Sequence, residues 1–344
     1  MARRAILLIG LVGVALACDH TSPFATGGAT NVGPYSQTYP RQLTFNLGDD
    51  RDPAVQGDTI VYSRLDPEHS SLDRCLALLP ADGGTIIAEY CPPTEPSTIN
   101  AWLEPALSPD GTQIAFLWQR GDPVTAAPSA DTLVIAPVDD PAHPTLLRKL
   151  DSLTPSDTEL LYPQKPTWVN ANTVRFLYST YVITYVKTGT PRFADTTIGG
   201  VSLVDLDVTT GAITDVPGAA GARTYTQAPD GGVWFTRADS TGTLSAATLL
   251  HLAPGSSTPD TVGIFTEPVT DVANVGGMAV GLLLGDAAVE VLDPATGSTT
   301  ALPPFPTPAR RIAGAPGGRI VVARDVTTAP PYGDRGNLWL YQLP

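Results

Sequence analysis

Residues 104–122 read EPALSPDGTQIAFLWQRGD. Ser108-Pro109-Asp110-Gly111 joins a proline that presets φ, an aspartate that hydrogen-bonds to nearby backbone, and a glycine that accepts positive φ. That composition describes a tight turn. Ile114, Phe116 and Trp118 follow at two-residue spacing, the period of a strand with one large-residue face. The stretch reads as strand, turn, strand.

The hairpin recurs. Aligned on the turn, the copies are PAVQGDTIVYS (53–63), PALSPDGTQIAFLW (105–118), PTWVNANTVRFLYS (166–179), YTQAPDGGVWFTR (225–237), DVANVGGMAVGLLL (271–284) and IAGAPGGRIVVAR (312–324). The turn position holds Gly57, Gly111, Asn172, Gly231, Gly277 or Gly318, residue types that tolerate positive φ. A third strand follows each hairpin: CLALLPADGG (75–84), DTLVIAPVDD (131–140), GVSLVDLDVTTG (200–211), ATLLHLAPGS (247–256), AAVEVLDPATG (287–297) and NLWLYQLP (337–344). Fourth strands come next at TIIAEYC, PTLLRKL, AITDVPG, DTVGIF and STTALPPF. The last copy lacks one, and RQLTFNLG (41–48) has its form. The expectation is an all-β chain: a six-bladed β-propeller of four-stranded antiparallel blades, closed by the N-terminal strand. Pairing the two ends also covers a sheet edge.

Composition agrees. Of 344 residues, 34 are Pro, 32 Gly and 16% charged, which suits many short strands and turns rather than long amphipathic helices. The net charge of −14 disfavours sequence-independent contact with nucleic acid or anionic lipid, both of which need a positive surface.

PALSPDGTQIAF and APDGGVWF resemble the WD40-like, Ser-Pro-Asp-Gly repeats of TolB-type periplasmic propellers, also found as the propeller of prolyl oligopeptidases. The resemblance spans residues 41–344. The second repeat carries the full motif, while the third, fifth and sixth lack Ser-Pro-Asp. It implies a fold and no reaction.

The opening MARRAILLIGLVGVALAC has the form of a targeting segment: basic Arg3 and Arg4, an apolar run from Ala5 to Val14, then small residues. Val14-Ala15-Leu16-Ala17-Cys18 resembles the bacterial lipobox, which implies cleavage before Cys18 and lipidation of its sulfur. Losing Arg3 and Arg4 would take the net charge from −14 to −16. The expected organisation is a lipoprotein signal peptide at 1–17, a lipid-anchored flexible tether at 18–38 and the propeller at 39–344. The expected location is the bacterial cell envelope, on the periplasmic or extracellular side.

Two further cysteines, Cys75 and Cys91, flank the turn Ala81-Asp82-Gly83-Gly84 at matching distances. In an oxidising compartment such a pair is expected to form a disulfide. Metal ligation is the rival reading, and no His or carboxylate cluster accompanies it in the sequence.

Function is less legible. Chain direction places the long insertions on the face opposite the Ser-Pro-Asp-Gly turns. The longest, in the third repeat, carries Tyr181, Tyr185 and Phe193 beside Lys187 and Arg192; it is either a recognition surface or a lengthened strand that packs locally. Positions just before each inner strand, Asp52, Glu104, Lys165, Thr224, Thr270 and Arg311, are expected to ring the channel mouth. Their mixed signs either hold a zwitterionic or peptidic ligand or neutralise one another. No G-x-S-x-G elbow occurs. His69, His143 and His251 fall in different repeats, unlike a metal cluster, and Asp49, Asp50 and Asp52 read as a solvated turn or a calcium site. The reading is a binding module for a protein, peptide or glycan of the envelope, without cofactor or metal. The alternative is an envelope polysaccharide lyase or hydrolase with its active site on the propeller.

Overall fold

The computed structural model describes residues 38–45, 48–65, 73–93, 98–121, 128–149, 159–186, 193–237, 248–277, 279–305, 307–325 and 336–343. Cys18, the leader and most of the expected tether lie outside them.

The strands succeed one another with short connections. After β1 (Arg41–Gln42) come β2 (Asp50–Gln56), β3 (Thr59–Leu65), β4 (Arg74–Pro80) and β5 (Ala88–Tyr90). Then follow β6 (Ile99–Leu107), β7 (Gln113–Gly121), β8 (Pro128–Pro137) and β9 (Leu146–Lys149). The third group is β10 (Glu159–Asn170), β11 (Thr173–Val186), β12 (Phe193–Asp207) and β13 (Ile213–Asp215). The fourth is β14 (Ala222–Gln227), β15 (Val233–Arg237), β16 (Thr248–Leu252) and β17 (Asp260–Ile264). The fifth is β18 (Val269–Asn274), β19 (Val280–Leu284), β20 (Ala288–Asp293) and β21 (Ser298–Ala301). The chain closes with β22 (Ala309–Ala315), β23 (Arg319–Asp325) and β24 (Gly336–Gln342).

This is an all-β propeller of antiparallel four-stranded blades. The count of separate blades differs from the expected six: four sheets stand alone, β10–β13, β14–β17, β18–β21 and β22–β24 with β1, while β2 to β9 form one eight-stranded sheet. Within that sheet β2–β5 and β6–β9 are each an antiparallel meander, and a single parallel pair, Arg74 with Ala101, fuses them. Side chains cause the fusion. The Asp73 carboxylate accepts the Asn100 N–H at 2.8 Å, and the Ser63 hydroxyl donates to the Trp102 carbonyl at 2.8 Å. Both draw the start of β6 against β3 and β4.

The turn that identifies the repeat is built as its residues require. Gly111 has φ 71°. Asp110 Oδ1 accepts from the Ser108 hydroxyl (2.5 Å) and the Thr112 N–H (3.1 Å), and Ser108 Oγ accepts the Gln113 N–H (2.9 Å). These bonds hold the Asp110 carboxyl below its ordinary pKa. In the fourth repeat Asp230 repeats the first part, taking the Gly232 N–H at 2.9 Å. Asn172 departs from the pattern: it is not among the residues with positive φ, and its N–H instead donates to Asn170 Oδ1 at 2.8 Å.

The core lies between blades. Val61, Leu76 and Leu78 pack with Trp102, Phe116 and Val134, and Trp102 and Phe116 have ring centroids 5.1 Å apart. Further interfaces join β6–β9 to β10–β13, and so onward to the last sheet. The last sheet returns to the first, where Leu43, Val321, Leu338 and Leu340 pack with Ile60, Tyr62 and Leu79. The inner strands β2, β6, β10, β14, β18 and β22 each contact the next, and β22 contacts β2. The ring is closed.

Closure by the N-terminal segment stands, in a shorter form than expected. Arg41 pairs with Leu340 and Gln42 with Trp339, antiparallel. Leu43 then donates its N–H to the Leu338 carbonyl (2.8 Å), but Thr44 substitutes its hydroxyl for backbone and accepts the Leu338 N–H (2.9 Å). That exchange ends the ladder, so among the described residues of 41–48 strand geometry covers Arg41 and Gln42. Cys75 and Cys91 form the expected disulfide. The register explains it: Leu76 pairs with Tyr90, so the next positions outward are the two cysteines.

Candidate functional site in the central channel

Each inner strand slips its register against its neighbour. The irregularity lies between Arg51 and Ala54, Leu103 and Ala106, and Gln164 and Thr167 in the first three. In the others it lies between Ala222 and Thr224, Val269 and Asp271, and Ala309 and Arg311. Bulges re-aim side chains. Here they turn one residue per inner strand into the channel. In three cases that residue precedes a proline, as Asp52-Pro53, Glu104-Pro105 and Lys165-Pro166, and takes φ of 52°, 48° and 53°. Among the described residues these are the non-glycine positions with positive φ. Such backbone costs on the order of 1–3 kcal/mol each and persists only where the surroundings enforce it.

The side chains meet across the channel. Lys165 Nζ contacts the Asp271 carboxylate, the Thr224 hydroxyl at 3.1 Å and the Val272 carbonyl at 2.8 Å, so all three ammonium donors are engaged. Arg311 Nη2 lies 2.7 Å from Glu104 Oε1, with Nε 3.8 Å from Asp52 Oδ1 and Nη1 3.8 Å from Asp271 Oδ1. Glu104 Oε2 accepts the Lys165 N–H, and Asp271 Oδ2 accepts the Ile312 N–H at 2.9 Å. The Tyr225 hydroxyl sits 2.6 Å from both the Lys165 and Arg175 carbonyl oxygens, fixing the strained Lys165 backbone from behind. These contacts link non-adjacent strands, β10 to β18 and β6 to β22, and lay a floor across the channel.

Asp52, Glu104, Lys165, Thr224 and Arg311, expected from the sequence, are thus brought together. They lie inside the channel rather than at its mouth; the charged side chains among them are 12–26% exposed. Thr270 is a correction. It faces away, its hydroxyl 2.6 Å from the Gly285 carbonyl, because the bulge before Asp271 shifts the facing by one residue. Asp271 takes its place, fully buried. The signal for it was present: Asp52-Pro53-Ala54, Glu104-Pro105-Ala106 and Arg311-Ile312-Ala313 share a charged residue two before an alanine, and so does Asp271-Val272-Ala273.

The charges are unevenly satisfied. Burial raises the Asp271 pKa, but Lys165 and Arg311 beside it, with their hydrogen-bonded neighbours, bring it below the ordinary value. Burial lowers Lys165, only partly resisted by Asp271. Burial also opposes the Arg311 charge, yet Glu104, Asp271 and Asp52 together hold its pKa above the usual range. Asp52 is the exception. Burial raises its pKa, Glu104 raises it further, and Arg311, Arg51 and Arg74 offset only part.

Beyond this floor lies a cavity of about 490 Å³. Its walls carry Pro53, Pro105, Pro166, Ala54 and Ala273, and it reaches Gly57, Gly276 and Pro316 in the first-hairpin turns. It therefore opens toward the face of those turns.

The other candidates resolve differently. In the third blade β11 and β12 stay paired out to Val186 and Phe193, with Tyr181 opposite Ile198 and Tyr185 opposite Ala194. This backbone fits the lengthened-strand alternative. Lys187, Arg192 and His69 lie outside the described residues. His143 pairs with Asp140 at 2.9 Å and His251 with Asp230 at 3.1 Å, in separate sheets. Asp49 is buried and clasped by Arg51 and Arg74, an ion-pair cluster. The one trio of potential ligands at metal-binding distance among the described residues is Cys75, Glu89 and Cys91. Its sulfurs are bonded to each other, and Glu89 takes Arg64 through both oxygens at 2.9 Å.

No family model matches the chain, and no curated protein matches it in sequence. Solved structures do match in shape. The β-propeller domain of the trilobed protease from Pyrococcus furiosus aligns over 88% of this chain and 94% of its own, at 10% identity and a TM-score of 0.49. An oligogalacturonate lyase in complex with manganese aligns over 91% and 95%, at 12% identity and 0.49. A prolyl endopeptidase aligns over 85% of this chain and 46% of its own, at 17% identity and 0.50. At such identities the likeness concerns the fold.

Proposed function

We propose that this protein is a lipid-anchored propeller of the bacterial cell envelope that acts as a binding module for an envelope protein, peptide or glycan. One observation carries the reading: the central channel holds a preformed polar floor beneath an open cavity of about 490 Å³. Rigid backbone positions these charges at the cost of three strained residues, and strain of that kind gathers at ligand sites. Lys165, Glu104 and Asp271 have every donor or carboxylate oxygen engaged, an arrangement suited to holding shape rather than to moving protons. The lyase or hydrolase reading needs a group poised to exchange a proton with substrate, and Asp52 is the floor residue that could serve.

The same reading counts the eight-stranded sheet as two blades, which makes six TolB-type repeats around the channel. It also retains the signal peptide at 1–17, the lipid on Cys18 and the tether to residue 38, all resting on the lipobox resemblance. Titration calorimetry of the domain from residue 39 onward, against peptidoglycan fragments, envelope oligosaccharides and purified envelope proteins, tests the reading. Saturable binding of one class supports it. Turnover of any oligosaccharide without a stable complex favours the enzyme instead. Fatty-acid labelling that persists after Cys18→Ala would remove the anchor.

A further inference from the structure

The charges of the channel floor are not equally paired. Asp52, Glu104 and Asp271 face Lys165 and Arg311, so these five leave one negative unit, which Arg51 and Arg74, shared with Asp49, offset in part. The geometry says where it resides. Glu104 and Asp271 have both carboxylate oxygens engaged. Asp52 accepts no hydrogen bond among the described residues; its ion pair is the 3.8 Å approach of Arg311 Nε. Its carboxylate lines the cavity and is 12% exposed. The two cations are committed elsewhere, Lys165 with three acceptors and Arg311 with Glu104. An anionic ligand would therefore have to break the floor to bind, and a cationic one would complete it.

The wall narrows the choice of cation. Calcium takes six to eight oxygen ligands, roughly, whereas this floor offers one free carboxylate with a guanidinium close by. The cavity beside Asp52 is lined by Pro53, Pro105 and Pro166, which suit a methylene chain, and by the polar Thr226, Gln227 and Asn274. Higher up, Gln227 also lines the cavity, and its Oε1 is buried with no partner. A second donor on the same ligand, an amide N–H or another amine, would satisfy it.

We infer that the channel receives a primary alkylammonium group, its nitrogen on the Asp52 carboxylate and its methylene chain along Pro53, Pro105 and Pro166. The group has two sources, a lysyl side chain or amino terminus of a partner peptide, or a free polyamine. This inference rests on the binding-module reading and specifies its ligand. The raised pKa of Asp52 agrees with a carboxylate awaiting a counter-charge.

Calorimetry on the full chain tests it with three probes: 1,5-diaminopentane, a lysine-containing tripeptide blocked at both ends, and the same tripeptide acetylated on Nε. The two ammonium probes are expected to bind, and the acetylated one at least about tenfold more weakly. Asp52→Asn should weaken both ammonium probes by a similar factor. Gln227→Leu, which removes the unpartnered acceptor in the cavity without altering any charge, should weaken the tripeptide as well. A tighter tripeptide identifies a peptide source, and a tighter diamine a free polyamine. Equal binding of the acetylated probe, unchanged binding in both variants, or no binding by the wild type overturns the site. Envelope ligands that still bind Asp52→Asn at full strength would leave the module reading standing while this site falls. Diaminopentane binding at Asp52 without any envelope partner would do the reverse.

Discussion

Arg311 Nη2 lies 2.7 Å from Glu104 Oε1, although 207 positions separate them in the chain. The pair spans the channel from the last blade to the blade of the full Ser-Pro-Asp-Gly repeat. Arg311 also stands 3.8 Å from both Asp52 and Asp271, so it is the cation on which three carboxylates depend. Replacing it with Met leaves those carboxylates facing one another in a desolvated channel. Breaking a fully buried pair costs about 3–5 kcal/mol; Arg311 keeps 26% exposure, so Arg311→Met is expected to lose roughly 2–3 kcal/mol by urea denaturation. Adding Glu104→Gln should recover part of the loss. A single variant as stable as the wild type would mean the floor is not an electrostatic unit.

Asp52 and Asp271 should respond to pH in opposite senses. The folded pKa of Asp271 is lowered, so its stabilisation is present above the unfolded value and fades as pH falls through the folded one. The folded pKa of Asp52 is raised, so its contribution is absent below the unfolded value and becomes a penalty as pH rises through the folded one. The groups acting on it are Glu104 on β6, Arg311 on β22, Arg51 on β2 and Arg74 on β4. Asp52→Asn is therefore expected to raise the melting temperature at pH 7, with the gain disappearing in acid. Asp271→Asn should lower it at pH 7, with the deficit shrinking in acid. Melting curves from pH 3 to 8, roughly the window carboxylates span, decide between this and a shared direction.

The Cys75–Cys91 bond closes a short loop, the two residues being 16 apart. Loop-closure entropy then assigns it about 3 kcal/mol. The Cys75→Ser, Cys91→Ser double variant should lose about that much and should unfold at the same denaturant concentration with or without reductant. Thiol titration of the unreduced, unfolded wild type should find neither cysteine reactive.

Leu43 is fully buried between the last sheet and the first. Leu43→Ala is expected to cost about 3 kcal/mol, in the range of buried leucine truncations. Deleting residues 39–46 should cost more, because it also removes the β1 pairing with β24 and the buried Phe45. Deleting 20–34, a small, polar, glycine-rich stretch, should leave the melting curve unchanged. Equal melting of the two truncations would move the closing strand elsewhere.

Local chemistry determined what the sequence could settle by itself. The Ser-Pro-Asp-Gly turn, the two-residue alternation after it and the recurrence of both require only neighbours in the chain, and they led to the propeller. Counting outward from Asp82-Gly83 was enough to pair Cys75 with Cys91, because antiparallel register is set by the turn. The missing fourth strand of the last repeat pointed to residues 41–48 for the same reason, although a threonine hydroxyl, not backbone, ends that ladder. The channel floor was only partly legible. Asp52, Glu104, Lys165, Thr224 and Arg311 follow from position along the inner strands, whereas position alone points to Thr270 in place of Asp271, since one bulge exchanges the two faces of a strand. The fusion of β4 with β6 depends on Asp73 and Asn100, side chains 27 positions apart whose meeting no local pattern encodes. Which charge is left unpaired was decided only by tertiary structure. Lys165 could have paired with Glu104 or Asp52 by charge alone; the curvature of the ring and the hydrogen bonds of Thr224 and Val272 bring it to Asp271 and leave Asp52 facing the cavity.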